Sequence, residues 1–572
     1  MTNQRLKILI IVILCGGGLI IGRLFQLQIL KYKFYHQQAE ANHSVTRTID
    51  AERGEIRDIN NYPLAINVKS YSLCAVPANI KDPEAAAEAL IPFLGIVNKD
   101  SPEFKNLVQK LSYKADYYEV LKKDLNGDEA QAVGELALPG IFVEIGAKRQ
   151  YPEERFFSHV IGFLGVKNNQ PAGQYGLEEF LDKELAGTPG LISGEKTPSG
   201  NLILDSEKVV KKVENGLSIV LTLDRAIQYY ACQALEDGVK SSRADSGTVI
   251  IMEPQTGKIL ALCNYPNFDP NNYKNVKDYG LFFNSAVAES FEPGSVFKIF
   301  TMAAALDAGK VAPDTTYNDT GEVKIGGYTI QNSDKKAHGV KTMTNVLEKS
   351  LNTGAIFAAR QIGLDVFRTY VKNFGFASLT GIEQPGEALG DISNLNKSGE
   401  IYLATASFGQ GISVTPIQLI TAADAIANQG KLMKPYLVDY IIKNDGSVIN
   451  NQPKFIRQVI SPATATTLSA MMVSVLENGY GKLARVPDYW VAGKTGTAQV
   501  PNPQGGYYSE KTIHSFVGFA PHNNPGFVGV VKVNNPKIGN FAESTAAPIF
   551  GKIAAYVLKY YNVPPDKIMN NE

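Results

Sequence analysis

The chain has 572 residues, more than a single domain usually holds, and 44% of them are hydrophobic, as in ordinary globular proteins. Lysine plus arginine and aspartate plus glutamate each total 56, so the formal net charge is zero. This balance lacks the basic surplus of a nucleic-acid-binding protein, and we expect no nucleic-acid partner.

The first predicted element is a membrane helix. Two basic residues precede an apolar run, 8–30, whose single charge is Arg23. The run is long enough to span a bilayer, it lacks the small-residue cleavage site of a signal peptide, and Arg23 can extend to the far interface. Basic residues before the run favour a cytoplasmic N-terminus. We therefore expect a cytoplasmic tail (1–7), a single-pass signal anchor (8–30) in the plasma membrane, and an extracytoplasmic remainder.

A mixed region follows the anchor. Residues 45–215 contain extended segments punctuated by glycine and proline and one clear helical stretch at 82–97. We predict a separate mixed α/β module here. Residues 216–562 carry the motifs described next, and the polar end of the chain, 563–572, is predicted to be a flexible tail.

The most informative motif is Ser295 with Lys298, at the start of a strongly apolar helical pattern. Residues at i and i+3 share a helix face, so the amine can reach the hydroxyl. A serine nucleophile needs a base, and lysine can serve as one where burial lowers its pKa. Taken alone, Ser295 equally fits a helix N-cap serine. The same spacing occurs twice in polar, turn-like sequence, where we interpret it as chance, at Ser193/Lys196 and Ser333/Lys336.

Two further motifs follow in order along the chain. Ser350 and Asn352 stand where a second helical pattern begins, and Lys494-Thr-Gly follows a β-prone Tyr-Trp-Val run. The ordered set S-x-x-K, S-x-N and K-T-G is the signature of penicillin-binding proteins and class A β-lactamases.

From about residue 45 to 560 the chain resembles the class B, monofunctional penicillin-binding proteins. The blocks FEPGSVFK, ASFGQGISVTPIQL, AGKTGTAQ and HSFVGFAP resemble those of the penicillin-binding transpeptidase domain, and RGEIRDINNYPLA and GQYGLEEFLDKELAGTPG resemble the N-terminal module of class B. The resemblance implies an α+β multidomain fold with an elongated pedestal or dimerisation domain at 45–215. It implies a transpeptidase domain at 216–562, with an antiparallel sheet flanked by helices as in serine β-lactamases. Arg53 and Glu178 match pedestal positions and are expected to make structural charge pairs.

The resemblance also implies roles for the motif residues. Ser295 is expected to attack the penultimate D-alanine of a stem peptide, with Lys298 as its base. Ser350 is expected to relay a proton to the leaving D-alanine, and Asn352 to bind the substrate amide and hold Lys298.

The third motif is expected to bind the terminal carboxylate and backbone of the substrate, through Lys494, Thr495, Gly496 and Thr497. The backbone N–H groups of Ser295 and Thr497 are expected to form an oxyanion hole. We expect no cofactor and no metal.

The expected function is cross-linking of peptidoglycan stem peptides through a serine acyl-enzyme during septal wall synthesis, with β-lactams as inhibitors. The blocks RGEIRD, GLEEFLDKELAG and AGKTGTAQ are more similar to division than to elongation transpeptidases. An elongation-type transpeptidase, a D,D-carboxypeptidase and a non-catalytic β-lactam sensor or scaffold remain alternatives, and the anchor and long pedestal argue against a β-lactamase. The expected partners are stem peptides, β-lactams, the membrane, a SEDS-family glycan polymerase and divisome proteins.

Two other features are interpreted as structural. EERFFSHVIG resembles the glutamate-rich motif of peptidoglycan glycosyltransferases, but the spacing differs by one at His159 and the other blocks are missing. We therefore interpret His159 as a structural residue. The four cysteines form no C-x-x-C pair, which argues against a zinc site or a disulfide framework, although a Cys232–Cys263 bridge stays open.

Overall fold

The computed structural model describes residues 2–35, 44–116, 118–195 and 208–567. It forms two compact units, Met1–Arg53 with Ala186–Gly216, and Gly54–Leu185 with Leu217–Glu572. Lys196, one member of the first chance motif, and residues 568–572 of the predicted tail lie outside the described residues.

In chain order the elements up to residue 216 are α1 (Thr2–Phe25), β1 (Ser44–Ile49), β2 (Ile56–Arg57), β3 (Pro63–Ala75), α2 (Pro83–Leu94), α3 (Pro102–Ser112), β4 (Glu119–Leu125), α4 (Gly127–Glu135), β5 (Ile141–Gln150), α5 (Ser158–Ile161), β6 (Phe163–Lys167), β7 (Gln170–Gln174), α6 (Gly176–Phe180), α7 (Asp182–Ala186), β8 (Gly190–Glu195) and β9 (Lys208–Lys211).

From residue 217 the elements are β10 (Ser218–Leu221), α8 (Arg225–Ser241), β11 (Ser246–Met252), β12 (Ile259–Tyr265), α9 (Ser285–Ala288), α10 (Lys298–Asp307), β13 (Thr316–Asp319), β14 (Glu322–Ile325), β15 (Tyr328–Gln331), β16 (Gly339–Thr342), α11 (Met343–Glu348), α12 (Asn352–Asn373), α13 (Glu400–Ser407), α14 (Pro416–Ala427), β17 (Lys431–Met433), β18 (Val438–Ile442), β19 (Val448–Asn450), β20 (Phe455–Gln458), α15 (Pro462–Asn478), β21 (Ala492–Pro501), β22 (Tyr507–Ala520), β23 (Phe527–Asn534) and α16 (Ala546–Tyr560).

The first unit contains the N-terminal helix and a small sheet. Helix α1 continues as a π-helical turn to Leu30, and Asn3–Leu30 is the one helix among the described residues that is long and apolar enough to cross a membrane. Its aliphatic side chains are exposed rather than packed in a protein core. Strands β1, β8 and β9 form an antiparallel sheet in that order.

The second unit is built around a seven-stranded mixed sheet. Its strand order is β19-β18-β10-β2-β3-β4, and β5 also pairs with β3. Strand β10 pairs in parallel with β2, at Ile219 opposite Ile56, and antiparallel with β18. Strands from the pedestal region therefore share one sheet with strands from the C-terminal region.

Helix α2 confirms the helical stretch predicted at 82–97, although it is shorter. The side chain of Asp82 caps its start by accepting hydrogen bonds from the amides of Glu84 and Ala85. Gly95 ends it in the left-handed conformation, at φ 68°, which glycine adopts without a steric penalty. The helix stops there because the C-cap outweighs the apolar residues that follow.

A five-stranded antiparallel sheet of order β12-β11-β23-β22-β21 carries the C-terminal region. On one face, α16 packs so closely that a Cβ on Gly518 or Gly529 would meet the ring of Phe550 at 3.0 or 2.9 Å. On the other face, a Cβ on Gly496 would meet Val296 at 2.9 Å. The turn that carries Ser295 therefore lies against this second face, beside the edge strand β21.

Cys232 in α8 and Cys263 in β12 form a disulfide, with their Cα atoms 5.3 Å apart. The sequence left this bridge open, because 31 residues separate the pair and no C-x-x-C spacing marks it. Packing of α8 on β12 brings the two together, since the side chain of Gln228 bonds both the amide and the carbonyl of Leu262 at 2.8 Å.

The end of the chain packs on the C-terminal region as far as it is described. The backbone amide of Trp490 donates to the carboxylate of Asp566 at 2.8 Å, and the amide of Lys567 donates to the carbonyl of Asp488 at 3.0 Å. These contacts attach the first part of the predicted tail to the domain.

Candidate active site

Ser295 lies on a 3-10 turn, Gly294–Phe297, one turn before α10 begins at Lys298. Gly294 has a φ of 57°, and a Cβ there would come within 3.0 Å of the carbonyl oxygen of Thr497. Its amide donates to the carbonyl of Gly409 at 3.0 Å. Glycine is required at this position because the turn approaches β21 too closely for a side chain.

The side chain of Lys298 is almost completely enclosed. Its Nζ lies 3.0 Å from Ser295 Oγ and 2.8 Å from Asn352 Oδ1, and it donates to the backbone carbonyl of Ser350 at 2.6 Å. The residue is 1% exposed. Burial lowers the pKa of Lys298 well below that of an exposed lysine, and the neighbouring Lys494 lowers it further.

Ser350 occupies the short link between α11 and α12. It has a φ of 54°, in the left-handed region that a non-glycine residue adopts only when its surroundings hold it there. This conformation directs both its carbonyl and its hydroxyl towards Lys298, at 2.6 and 3.2 Å from Nζ. Asn352 begins α12, and its Nδ2 donates to the carbonyl of Gln331 at 2.8 Å.

Lys494 lies in β21, the edge strand of the five-stranded sheet. Its side chain is fully buried, and its Nζ donates to Ser350 Oγ and to the carbonyl of Thr495, each at 3.0 Å. Burial lowers the pKa of Lys494 to about 7. The side-chain nitrogens of Lys494 and Lys298 thus both lie within hydrogen-bonding distance of Ser350 Oγ.

The three motifs open onto one cleft with a volume of about 690 Å³. The cleft is lined by the motif residues Ser295, Ser350, Asn352, Thr495 and Thr497. The hydroxyl of Thr497 accepts a hydrogen bond from the amide of Ala542 at 3.2 Å. Gly496 lies beneath the turn of Ser295, where a side chain would collide with Val296.

Glu292, close to the turn of Ser295, was not predicted from the sequence. The 8% exposed Glu292 accepts hydrogen bonds from the amide of Gly411 at 2.9 Å and from the hydroxyl of Tyr507 at 3.3 Å. Burial raises the pKa of Glu292, against the effect of these two bonds. Its position three residues before Ser295 could have marked Glu292 as a site residue. Its hydrogen-bond donors could not be predicted, because they come from distant segments of the chain.

The other residues singled out from the sequence lie in different parts of the structure. Ser333, from the second chance motif, lines the cleft on an exposed turn. Arg53 is half-buried in the first unit, and Glu178 is buried in an ion pair with Arg149 at 2.8 Å. His159 is buried with its Nε2 3.0 Å from the carbonyl of Leu281, and burial lowers its pKa to about 4.

Within the described residues, no group of three or more His, Cys, Asp or Glu side chains could hold a metal ion. The side-chain groups that meet around Lys298 Nζ and Ser350 Oγ are hydroxyls, amines and the amide of Asn352. Such a set suits acyl transfer through a serine.

Two protein-family models match this chain, and known proteins are similar to it over most of its length. Residues 247–555 match the penicillin binding protein transpeptidase domain, and residues 48–221 match the penicillin-binding protein dimerisation domain. Stage V sporulation protein D of Bacillus subtilis is 33% identical over 91% of this chain and 80% of its own length. A probable peptidoglycan D,D-transpeptidase, PbpC, of Pseudomonas aeruginosa is 30% identical over 100% of this chain and 97% of its own length.

Solved structures agree. The crystal structure of penicillin binding protein 3 from Mycobacterium tuberculosis, complexed with aztreonam, superposes with a TM-score of 0.70 at 28% identity, covering 91% of this chain and 99% of that one. The crystal structure of a peptidoglycan synthetase from Bifidobacterium adolescentis gives 0.72 at 26% identity, covering 92% and 98%.

Proposed function

This chain belongs to the class B penicillin-binding proteins and is a peptidoglycan D,D-transpeptidase, and we propose that it forms its acyl-enzyme on Ser295. The observation that carries the proposal is the position of Ser295 Oγ 3.0 Å from the buried amine of Lys298. With its pKa lowered, this amine is neutral in the resting enzyme and takes the hydroxyl proton as Ser295 attacks the carbonyl of the penultimate D-alanine.

The proton then moves towards the leaving group. Ser350 Oγ lies within hydrogen-bonding distance of both Lys298 and Lys494, so it can give its proton to the departing D-alanine and regain one from Lys298. The peptide bond breaks, D-alanine leaves, and an ester joins the stem peptide to Ser295. An amine of a neighbouring stem attacks this ester, a new amide forms, and Ser295 recovers its proton.

The substrate is held by the third motif and by Asn352. Cationic Lys494 supplies positive charge near the terminal carboxylate, Thr495 and Thr497 supply hydroxyls, and Gly496 leaves room for the turn of Ser295. The edge of β21 can pair with an extended stem peptide. The backbone N–H groups of Ser295 and Thr497 form the oxyanion hole, where one donor contributes about 3–4 kcal/mol to transition-state stabilisation.

The test is mass spectrometry of the intact protein after treatment with benzylpenicillin. We expect one covalent adduct in the wild type and none in Ser295→Ala. Ser333→Ala is the matched control, because Ser333 lines the same cleft and shares the S-x-x-K spacing, and its adduct should form normally. An adduct that survives Ser295→Ala overturns the assignment of the nucleophile.

Release of D-alanine separates the remaining activities. A transpeptidase releases D-alanine faster when an acceptor amine is present and incorporates that amine into product. Hydrolysis without incorporation would favour a D,D-carboxypeptidase, and acylation without turnover would favour a sensor or scaffold.

We further propose that the helix Asn3–Leu30 anchors the protein with its N-terminus in the cytoplasm and its catalytic region outside. The buried Cys232–Cys263 disulfide supports this topology, because structural disulfides persist in oxidising compartments outside the cytosol. Protease added to intact spheroplasts should remove the catalytic region and leave a fragment that contains the anchor. Protection of the catalytic region would contradict the proposed topology.

For its cellular role we propose septal wall synthesis with a SEDS-family glycan polymerase and other division proteins. The similarity of the pedestal blocks to division transpeptidases supports this assignment. A role in sporulation is the second candidate, because one relative is named for stage V of that process. Depletion distinguishes the roles: filaments indicate division, round cells indicate elongation, and normal growth with defective spores indicates sporulation.

The anchor provides a test of the polymerase partnership. Replacing it with an unrelated membrane helix should leave penicillin acylation intact and abolish complementation of a depleted strain. Full complementation by the chimera would contradict a role for the anchor in partner choice.

A further inference from the structure

Helix α12 begins without a local cap, although its first residue belongs to the catalytic cleft. Its N-cap position is Leu351, whose side chain cannot accept a hydrogen bond. The amides of Asn352 and Thr353 in the first turn therefore need an acceptor from elsewhere in the chain. Asn332 provides it, because its Oδ1 accepts from the Asn352 amide at 2.9 Å and from the Thr353 amide at 3.3 Å.

A buried carboxylate determines how the amide group of Asn332 is oriented. Asp319, at the end of β13, is 2% exposed, and its two oxygens lie 3.1 and 3.0 Å from Asn332 Nδ2. Because a carboxylate only accepts hydrogen bonds, the NH2 side of Asn332 must face Asp319 and its oxygen must face α12. Asn332 is likewise 2% exposed, so water does not replace these contacts.

Asp319 is itself held in place by further donors. It accepts from the amides of Gly321 and His338 at 3.0 Å each and from the hydroxyl of Thr353 at 2.8 Å. Burial by itself would raise the pKa of Asp319, but the hydrogen bonds lower it by more. The net pKa of Asp319 therefore lies below its ordinary value. The side chain is therefore an ionised hub that joins the β13 strand end, the turn at Asn332 and the first turn of α12.

Asn352 connects Asp319 and Asn332 to the amine of Lys298. Asn352, whose amide Asn332 caps, places its own Oδ1 2.8 Å from Lys298 Nζ. Displacement of the first turn of α12 would move this oxygen, and the strained Ser350 two residues earlier, away from Lys298. Misplacement of a catalytic group by about 1 Å can lower a rate ~100-fold.

We propose that Asp319 and Asn332 are positioning residues for acylation: Asp319 orients the side-chain amide of Asn332, which caps α12 from a distance and so fixes Asn352 and Ser350 against Lys298. Neither residue touches the reacting atoms. The proposal rests on the proposed function of Ser295 and Lys298.

The test measures acylation of the full-length protein by a fluorescent penicillin, resolved into the initial binding constant and the first-order acylation constant. Asn332→Leu keeps the side-chain volume and removes the cap, and Asp319→Asn lets the amide of Asn332 reverse. We expect each variant to lower the first-order constant at least about tenfold with little change in the binding constant, because the loss lies in positioning.

A matched control separates positioning from a general loss of stability. Asp307, at the far end of α10, accepts from the Ser461 amide at 2.8 Å and from the Thr464 hydroxyl at 2.9 Å at the start of α15. Asp307→Asn makes the same chemical change at another helix start, and we expect its acylation constant to stay within about twofold of wild type. A fall as large as that of Asp319→Asn would overturn the proposal.

The exchanged pair Asp319→Asn with Asn332→Asp supplies the rescue. A carboxylate at 332 still accepts from the α12 amides, and an amide at 319 donates to it. We expect the double variant to acylate faster than either Asp319→Asn or Asn332→Asp alone. Wild-type acylation in both Asn332→Leu and Asp319→Asn overturns the proposal while leaving the adduct on Ser295 intact, whereas an adduct that survives Ser295→Ala overturns the proposed function instead.

Discussion

Lys298 and Lys494 both place their side-chain nitrogens within hydrogen-bonding distance of one oxygen, Ser350 Oγ, at 3.2 and 3.0 Å. Both side chains are buried, and two neighbouring ammonium groups would repel each other with little screening. The state in which only one of the two amines is protonated to an ammonium group is therefore favoured over the state in which both are. Lys494, with a pKa of about 7, is the better holder of that proton, and Lys298 is the free amine.

The first prediction concerns the dependence of acylation on pH. The second-order acylation constant should fall at low pH as Lys298 gains a proton, and should fall above a pH of about 7 as Lys494 loses the charge that attracts the substrate carboxylate. The measurement is the rate of penicillin acylation from pH 5 to 10. An increase that follows one pKa near 10.4, that of an exposed lysine, would contradict a neutral Lys298.

The lowered pKa of Lys494 also makes a prediction about stability. Between about pH 7 and the pKa of an unfolded lysine, near 10.4, the unfolded chain binds more protons at this residue than the folded protein does. The free energy of unfolding should therefore rise with pH over this range. Comparison of thermal unfolding of the wild type with that of Lys494→Met isolates the effect, and the variant should show the weaker increase. Equal slopes for the two proteins would refute it.

Replacement of Lys298 tests its role as a base. Lys298→Met should lower the acylation rate constant about 10²–10⁴-fold, because general-base catalysis contributes about that much. Lys298→Arg should be similarly inactive, since a guanidinium stays protonated. Circular dichroism and the thermal midpoint serve as folding controls. An active arginine variant would mean that positive charge, rather than a free amine, is required.

The sequence predicted which motif residues would lie close together, but it did not predict the contacts that hold them in place. Ser295 and Lys298 could be paired because i and i+3 spacing brings them together within a single turn, even though Ser295 lies on a 3-10 turn rather than at the start of an α-helix. Asn332 lies 20 residues before Asn352, and no local pattern links a turn to a helix start at that separation.

The strand pairing across the predicted domain boundary also could not be predicted from local sequence. The predicted division near residue 215 follows the change in sequence pattern, yet β10 pairs with both β2 and β18 in one sheet. Pairing between strands so distant in the chain depends on tertiary packing, which local hydrophobic periodicity does not encode. The apolar N-terminal helix could be predicted because its length and local composition alone indicate it.

The disulfide gives a further prediction for stability. A bridge between residues 31 apart should stabilise the protein by about 3–4 kcal/mol through its effect on the unfolded chain. Cys232→Ala with Cys263→Ala should lower the thermal midpoint, and a reducing agent should lower that of the wild type. The same reducing agent should leave the double variant unchanged, because Cys15 and Cys74 are free. An unaffected midpoint in the reduced wild type would exclude a stabilising bridge.

The last prediction concerns the ion pair of the pedestal region. Glu178 is fully buried, bonds Arg149 Nε at 2.8 Å and accepts from the hydroxyl of Tyr151 at 3.2 Å. Removing one partner of such a pair leaves the other charge buried, so Glu178→Ala should cost about 3–5 kcal/mol of unfolding free energy.

Replacing both charges separates the value of the ion pair from the cost of an isolated charge. Arg149→Met with Glu178→Leu removes both charges while keeping apolar volume, so it should be more stable than Glu178→Ala. Denaturant unfolding provides the measurement. The folded fraction of each variant should be acylated by penicillin at the wild-type rate, because neither residue lines the cleft. If the double replacement is as unstable as Glu178→Ala, the pair contributes net stability of its own and is more than a neutralised charge.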